Sequence, residues 1–206
     1  GVYGSNLAQG IGVFGVGGLG LVGLSPKAQL KLAGGPPSPL GSTQARTAGE
    51  IVFDNAQDMW VCVAPGSPGT WRRISGPTTA GALVVLPATK RIYDSRAGTN
   101  PTTVQKGIFA NAEERTIDAT LGSGVPAGAT AVLLNCTATN TNPGGFFAFF
   151  KNGIAWPQNS SLSWGSPGST IANLAVVAVD GAAKFRARCQ GAGGADLVVD
   201  CIGYFQ

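Results

Sequence analysis

Apolar and polar positions in this chain alternate over short runs, with no stretch that keeps the period of an amphipathic helix. Nine such runs fall in residues 77–206, separated by turns rich in Gly, Pro and Asn. The predicted strands are residues 82–87, 91–94, 114–119, 131–139, 145–151, 161–164, 171–179, 184–188 and 196–205. Many short strands without a helix predict an all-β head domain, a β-sandwich of the jelly-roll type.

Residues 26–76 predict a separate, smaller module. Four prolines between residues 26 and 39 exclude a regular helix there. Two β-rich runs, 50–53 and 59–63, flank turn-forming Asp and Asn residues, and a third run covers 70–74. This pattern indicates a β-hairpin module, in which Trp60 and Trp71 are interpreted as core residues rather than sugar-stacking platforms.

Residues 1–25 are Gly-rich and contain a Gly–apolar–apolar–Gly tetrad that begins at Gly1, Gly12 and Gly20. Each tetrad offers too little apolar surface to bury a core within one chain, so several chains are expected to wrap together. The alternative is a flexible linker, although linkers favour Ser and other polar residues. The expected contacts of this intertwined β stem are Val2, Tyr3, Val13, Phe14, Leu21 and Val22.

The composition also favours assembly. Charged residues make up 12% of the chain, against about 25% in typical domains, and they cover a monomer's surface thinly. The net charge of +4 is scattered, which argues against a nucleic-acid groove. The sequence contains no run of 18 apolar residues, so no membrane span is predicted.

No catalytic or metal-binding constellation is visible. The sequence has no His, which excludes Ser–His–Asp and Cys–His mechanisms. Carboxylates at Glu113, Glu114 and Asp118 are more simply a solvated face than a glycosidase pair. We therefore expect a non-enzymatic protein without a cofactor or bound metal.

One ion pair is expected inside the head domain. Asp200 lies in an apolar strand, where an ionised carboxylate needs a partner. Arg91 and Arg96, with Asp94 between them, are the candidate partners.

The four cysteines leave two interpretations open, a disulfide or buried apolar thiols. If one bridge forms, Cys136 and Cys201 are the expected pair, because they lie centrally in the two most apolar strands. Cys62 is expected to be free, since it belongs to the hairpin module.

Aromatic residues of the head domain suggest either an interface or a sugar site. Trp156 and Trp164 bracket a Pro- and Ser-rich loop, as in sugar-stacking loops. Four Phe residues at 146, 147, 149 and 150 cannot all share one strand face, so some are expected to be exposed or covered by another subunit.

Two resemblances agree with this interpretation. The tetrads resemble the GVYG-type repeats of phage tail spikes and bacterial surface fibres, which implies an intertwined homotrimer. The hairpin run resembles a small module that accompanies such repeats.

The head domain carries the more specific motifs, RIYDSR at 91–96, GVPAGATAV at 124–132, LNCTAT at 134–139 and DLVVDCIGYF at 196–205. In this order they resemble a β-domain repeated in secreted and cell-wall-associated proteins of actinobacteria and some of their phages. The resemblance implies a location outside a cell or on a virion.

The resulting hypothesis is a self-assembling structural or adhesive fibre module, with a homotrimer as the expected state. The alternatives are a module that binds cell-wall glycan and a non-catalytic part of a secreted hydrolase.

Overall fold

The computed structural model describes Leu32 and residues 35–206. The predicted stem, with Val2, Tyr3, Val13, Phe14, Leu21 and Val22, lies outside the described residues. Within the described range the protein is all-β, with eleven strands and one 3-10 turn at Pro39–Gly41. The chain divides into two compact units, Gly1–Thr78 and Thr79–Gln206.

The first unit contains one three-stranded antiparallel sheet, in the order β1-β2-β3. Its strands are β1 (Ile51–Phe53), β2 (Met59–Ala64) and β3 (Thr70–Ser75). Trp60, Cys62 and Trp71 are buried together, with Val52 packed against them. Both tryptophans are therefore core residues of this small sheet, as the sequence predicts.

The turn between β1 and β2 is organised by a buried carboxylate. One oxygen of Asp54 accepts hydrogen bonds from the backbone N–H groups of Ala56 and Asp58, at 2.9 and 3.0 Å. The other accepts the indole N–H of Trp60 at 2.9 Å. A single side chain thus closes the turn and fixes the ring that fills the core.

The second unit consists of eight strands in two four-stranded antiparallel sheets. Sheet A has the order β4-β11-β6-β9, and sheet B has the order β5-β10-β7-β8. The strands are β4 (Leu83–Asp94), β5 (Glu114–Asp118), β6 (Ala131–Thr139), β7 (Gly145–Lys151), β8 (Leu162–Trp164), β9 (Ile171–Ala178), β10 (Lys184–Gly191) and β11 (Asp196–Phe205).

Both sheets contribute side chains to one buried cluster. Alternation is clearest in β6, where Val132, Leu134, Cys136 and Ala138 are buried and the residues between them are more exposed. This period of two places one face of the strand in the core and the other on the outside. Sheet B adds Phe147, Phe149 and Phe185 to the same cluster.

Candidate interaction surface

The outer face of sheet A carries aligned apolar residues on three of its four strands. Val176 of β9 lies opposite Leu133 of β6, which lies opposite Gly203 of β11. Gly203 in turn lies opposite Val85 of β4. Val176 and Val85 are each 62% exposed, and Leu174, two residues along β9, is 59% exposed. We call Val85, Leu133, Leu174 and Val176 the apolar row.

The row exists because β9 is apolar on both of its faces. Ala175 and Val177 pack on the buried cluster, while Leu174 and Val176 project to the outside. Strands that face water on one side usually alternate apolar with polar residues, whereas continuous apolar strands are buried on both sides. An exposed apolar face of this kind is a candidate interaction surface.

The outer face of sheet B is different, because charged residues occupy it. Glu114 of β5 accepts hydrogen bonds from Arg188 at 2.7 Å and Arg186 at 3.1 Å, both on β10. The guanidinium of Arg188 also lies 4.6 Å from the ring centre of Trp156. Of the two outer faces, the one on sheet A is therefore the candidate for burial.

An ion pair borders the apolar row. Arg91 donates from Nε and Nη2 to the two carboxylate oxygens of Asp200, at 2.9 and 3.1 Å. The structure thus joins the residues that the sequence predicts as partners, but the pair is not internal. The side chains of Arg91 and Asp200 are 44% and 18% exposed, because position 200 faces the outside of sheet A.

The buried carboxylate of this network is Asp94, whose side chain has no exposed surface. Arg96 donates to it from Nη2 at 2.7 Å and from Nε at 3.0 Å, and Arg91 lies 3.5 Å away. Burial alone would raise the pKa of Asp94, but the hydrogen bonds from Arg96 outweigh it and hold the pKa below its ordinary value. Asp94 therefore stays ionised at neutral pH.

Sheet register explains why these distant residues meet. Asp94 pairs with Val198 and Arg91 pairs with Asp200, so the two ends of the head domain's sequence are neighbours on β4 and β11. The RIYDSR and DLVVDCIGYF motifs are thus two halves of one structural ion network.

The two tryptophans that the sequence offers for the alternative of a sugar site differ in exposure. Trp164 is only 4% exposed, donates its indole N–H to the carbonyl of Asn142, and lies 5.3 Å from the ring of Phe147. Trp156 is partly exposed and stacks on Arg188. Of the pair, only Trp156 is placed where a ligand can reach it.

The four Phe residues of β7 are also more buried than expected. Phe147 and Phe149 belong to the shared core, and Phe150 is buried although it points to the other face. Only Phe146 is partly exposed, with its ring 6.2 Å from that of Trp156. These residues therefore present little apolar surface to another subunit.

All four cysteines are buried free thiols, which is one of the two interpretations that the sequence left open, and no bridge joins Cys136 and Cys201. Cys136 lies opposite Val199, and Cys201 lies opposite Leu134. The two cysteines are therefore diagonal neighbours, whose Cα atoms are about 7 to 8 Å apart. A disulfide usually requires Cα atoms within about 6.8 Å.

This arrangement predicts a thiol count of four. Burial raises the pKa of Cys189 and of Cys201 to about 11, so both remain protonated at neutral pH. We expect a thiol reagent to react slowly with the native protein and to label four thiols per chain after denaturation without reductant. Two labelled thiols per chain would show that one disulfide forms.

Arg115 is a buried residue that the sequence analysis did not single out. Its side chain is 4% exposed and lies 3.9 Å from the ring centre of Phe109. It donates to Glu113 at 2.7 Å, to the hydroxyl of Tyr93 at 3.1 Å and to two backbone carbonyls. In the sequence it is one of several charged residues in β5, and nothing local marks it as buried.

No protein-family model matches the chain, and no similar protein is found among curated proteins. Across the described residues, the structure has no helix long and apolar enough to cross a membrane.

Proposed function

We propose that this protein is a non-enzymatic structural or adhesive module of an extracellular or virion fibre, and that it works as a homo-oligomer. The apolar row on the outer face of sheet A carries the proposal. A face with Val85, Leu174 and Val176 each more than half exposed is costly to leave in water, and burial against another copy removes that cost.

Two further observations support assembly. The charged fraction of 12% leaves few groups to keep a monomer soluble. The Gly-rich tetrads of residues 1–25 are of the kind that intertwined trimers use, so a stem of three chains joined to a β-sandwich head is the architecture we propose.

The available chemistry also favours a structural role. The absence of His removes the commonest general base. Glu113, Glu114 and Asp94 are each held by arginines in ion pairs. Carboxylates engaged in this way hold the fold together and are poorly placed to exchange protons with a substrate.

The mass of the native particle tests this function. Native mass spectrometry or light scattering at micromolar concentration is expected to give a multiple of three times the 20.7 kDa chain mass. Deletion of residues 1–25 is expected to abolish the three-fold contact. A wild-type monomer under these conditions would exclude the proposal.

A further inference from the structure

The second unit has four sheet edges, and three of them carry features that prevent pairing with another chain. Strand β8 is only three residues long, and β5 carries Glu114, Arg115 and Asp118. Strand β4 contains Pro87 and Lys90 and shifts its register against β11. Short edges, charges, proline and bulges are the usual protections of an exposed edge.

Strand β9 is the exception. It has eight residues, none of them charged and none of them proline. It pairs with β6 in one continuous register, without a bulge. Its only strand partner among the described residues is β6, so its other side offers free backbone N–H and C=O groups.

The neutral surface extends beyond β9. Between Lys151 and Asp180 the chain has no Asp, Glu, Lys or Arg, and this segment contains both β8 and β9. The two strands are edges of different sheets, and the side chain of Asn173 on β9 donates to the carbonyl of Ser161, just before β8, at 2.8 Å. We call residues 152–179 the neutral flank.

We propose that β9 pairs antiparallel with β9 of a second copy of this chain, across a two-fold axis. Sheet A then continues from one copy into the next. The inference rests on the proposed self-assembly and adds a second contact, through the edge of sheet A, to the proposed burial of its outer face.

A second copy fits this edge better than a charged partner does. The neutral flank offers no charge to attract an acidic or basic chain, and its own β9 supplies a complementary neutral strand. In a two-fold contact the same patch serves both copies, so no like charges meet. The apolar row, which ends at Leu174 and Val176, also becomes continuous across the axis.

Lysine substitution at matched positions tests the contact. Val176 is 62% exposed on β9, and the control position Thr116 is exposed on β5, an edge strand of sheet B that contributes nothing to the apolar row. Lysine at an edge strand opposes pairing, because like charges then face each other across the two-fold axis. Both sites are exposed, so both variants are expected to fold, which circular dichroism checks.

We expect the wild-type full chain to have an even number of copies at micromolar concentration. Val176→Lys should halve the particle mass, and Thr116→Lys should leave it unchanged. Leu174→Lys, the second variant on β9, should behave as Val176→Lys does. Hydrogen exchange of a peptide covering residues 171–178 should be slower in the wild type than in Val176→Lys.

The outcomes separate this inference from the proposed function. If the wild type is a trimer, and Val176→Lys changes neither its mass nor the hydrogen exchange of β9, β9 pairing is excluded and self-assembly remains. A wild-type dimer that Val176→Lys converts to monomer would support β9 pairing and exclude the three-fold stem. Equal halving by Thr116→Lys would also overturn the inference, and a wild-type monomer would overturn both proposals.

Discussion

Replacing Phe147 by alanine is expected to lower the free energy of unfolding of the second unit by about 4 kcal/mol. Phe147 has no exposed surface, and its ring lies 5.1 Å from Phe109 and 5.3 Å from Trp164. Removing the ring leaves a cavity between neighbours that belong to different strands and loops, which cannot collapse together. Denaturant titration, with the two units' transitions fitted separately, measures the change.

Phe146→Ala provides the matched control. Phe146 is the preceding residue on β7, points to the opposite face and is partly exposed. Its loss is expected to cost only about 1 kcal/mol, because less apolar area returns to water. If the two variants have the same stability, the shared core is not centred on Phe147.

Strand positions were the most predictable part of the structure, because alternation and turn residues are local signals. Strand β6 begins and ends where its apolar pattern does, at residues 131–139. The one difference in number arises at β4, where residues 82–87 and 91–94 belong to a single long strand. The residues between the two predicted runs lie where the pairing of β4 with β11 shifts its register. No local signal in the sequence reveals that shift.

Face assignment was less predictable, because it depends on which other strands cover each side. Asp200 lies among apolar residues and was expected inside, yet it faces the outside of sheet A, where Arg91 meets it. The fully buried carboxylate is Asp94 instead. The alternation of residues in the sequence identifies the two faces of a strand, but the elements packed against the sheet determine which face is buried.

The candidate interaction surface follows the same rule. Leu174 and Val176 can be recognised as apolar residues of β9 from the sequence, but their exposure depends on the position of β9 at an edge. Trp164 shows the reverse case, since it lies in a Ser- and Gly-rich stretch that suggests a surface loop and is nevertheless buried against Phe147. Strand order, which sets both outcomes, is a long-range property.

Replacing Arg115 by methionine is expected to cost about 3 kcal/mol, although methionine nearly preserves the apolar volume of the side chain. The side chain of Arg115 is 4% exposed, and its guanidinium donates to the hydroxyl of Tyr93 and to the carbonyls of Gly107 and Ile108. Without it, the two carbonyls lose the guanidinium donor, the Tyr93 hydroxyl keeps only its bond to the carbonyl of Gln105, and Glu113 loses its ion pair. Denaturant titration again measures the loss.

The pH dependence of the same variant separates an electrostatic effect from a packing effect. A hydrogen bond from Arg115 lowers the pKa of Glu113, against the opposing effect of burial. A carboxyl with a lowered pKa stabilises the fold above its unfolded pKa of about 4.3, and that contribution disappears as the pH falls through the folded value. The wild type should therefore lose more stability than Arg115→Met as the pH is lowered from 5 to 3.

Arg186→Met is the control, since that side chain is 35% exposed and its pair with Glu114 is expected to contribute less than about 1 kcal/mol. Equal losses in the two variants, or parallel pH profiles for Arg115→Met and the wild type, would show that Arg115 acts only by filling space.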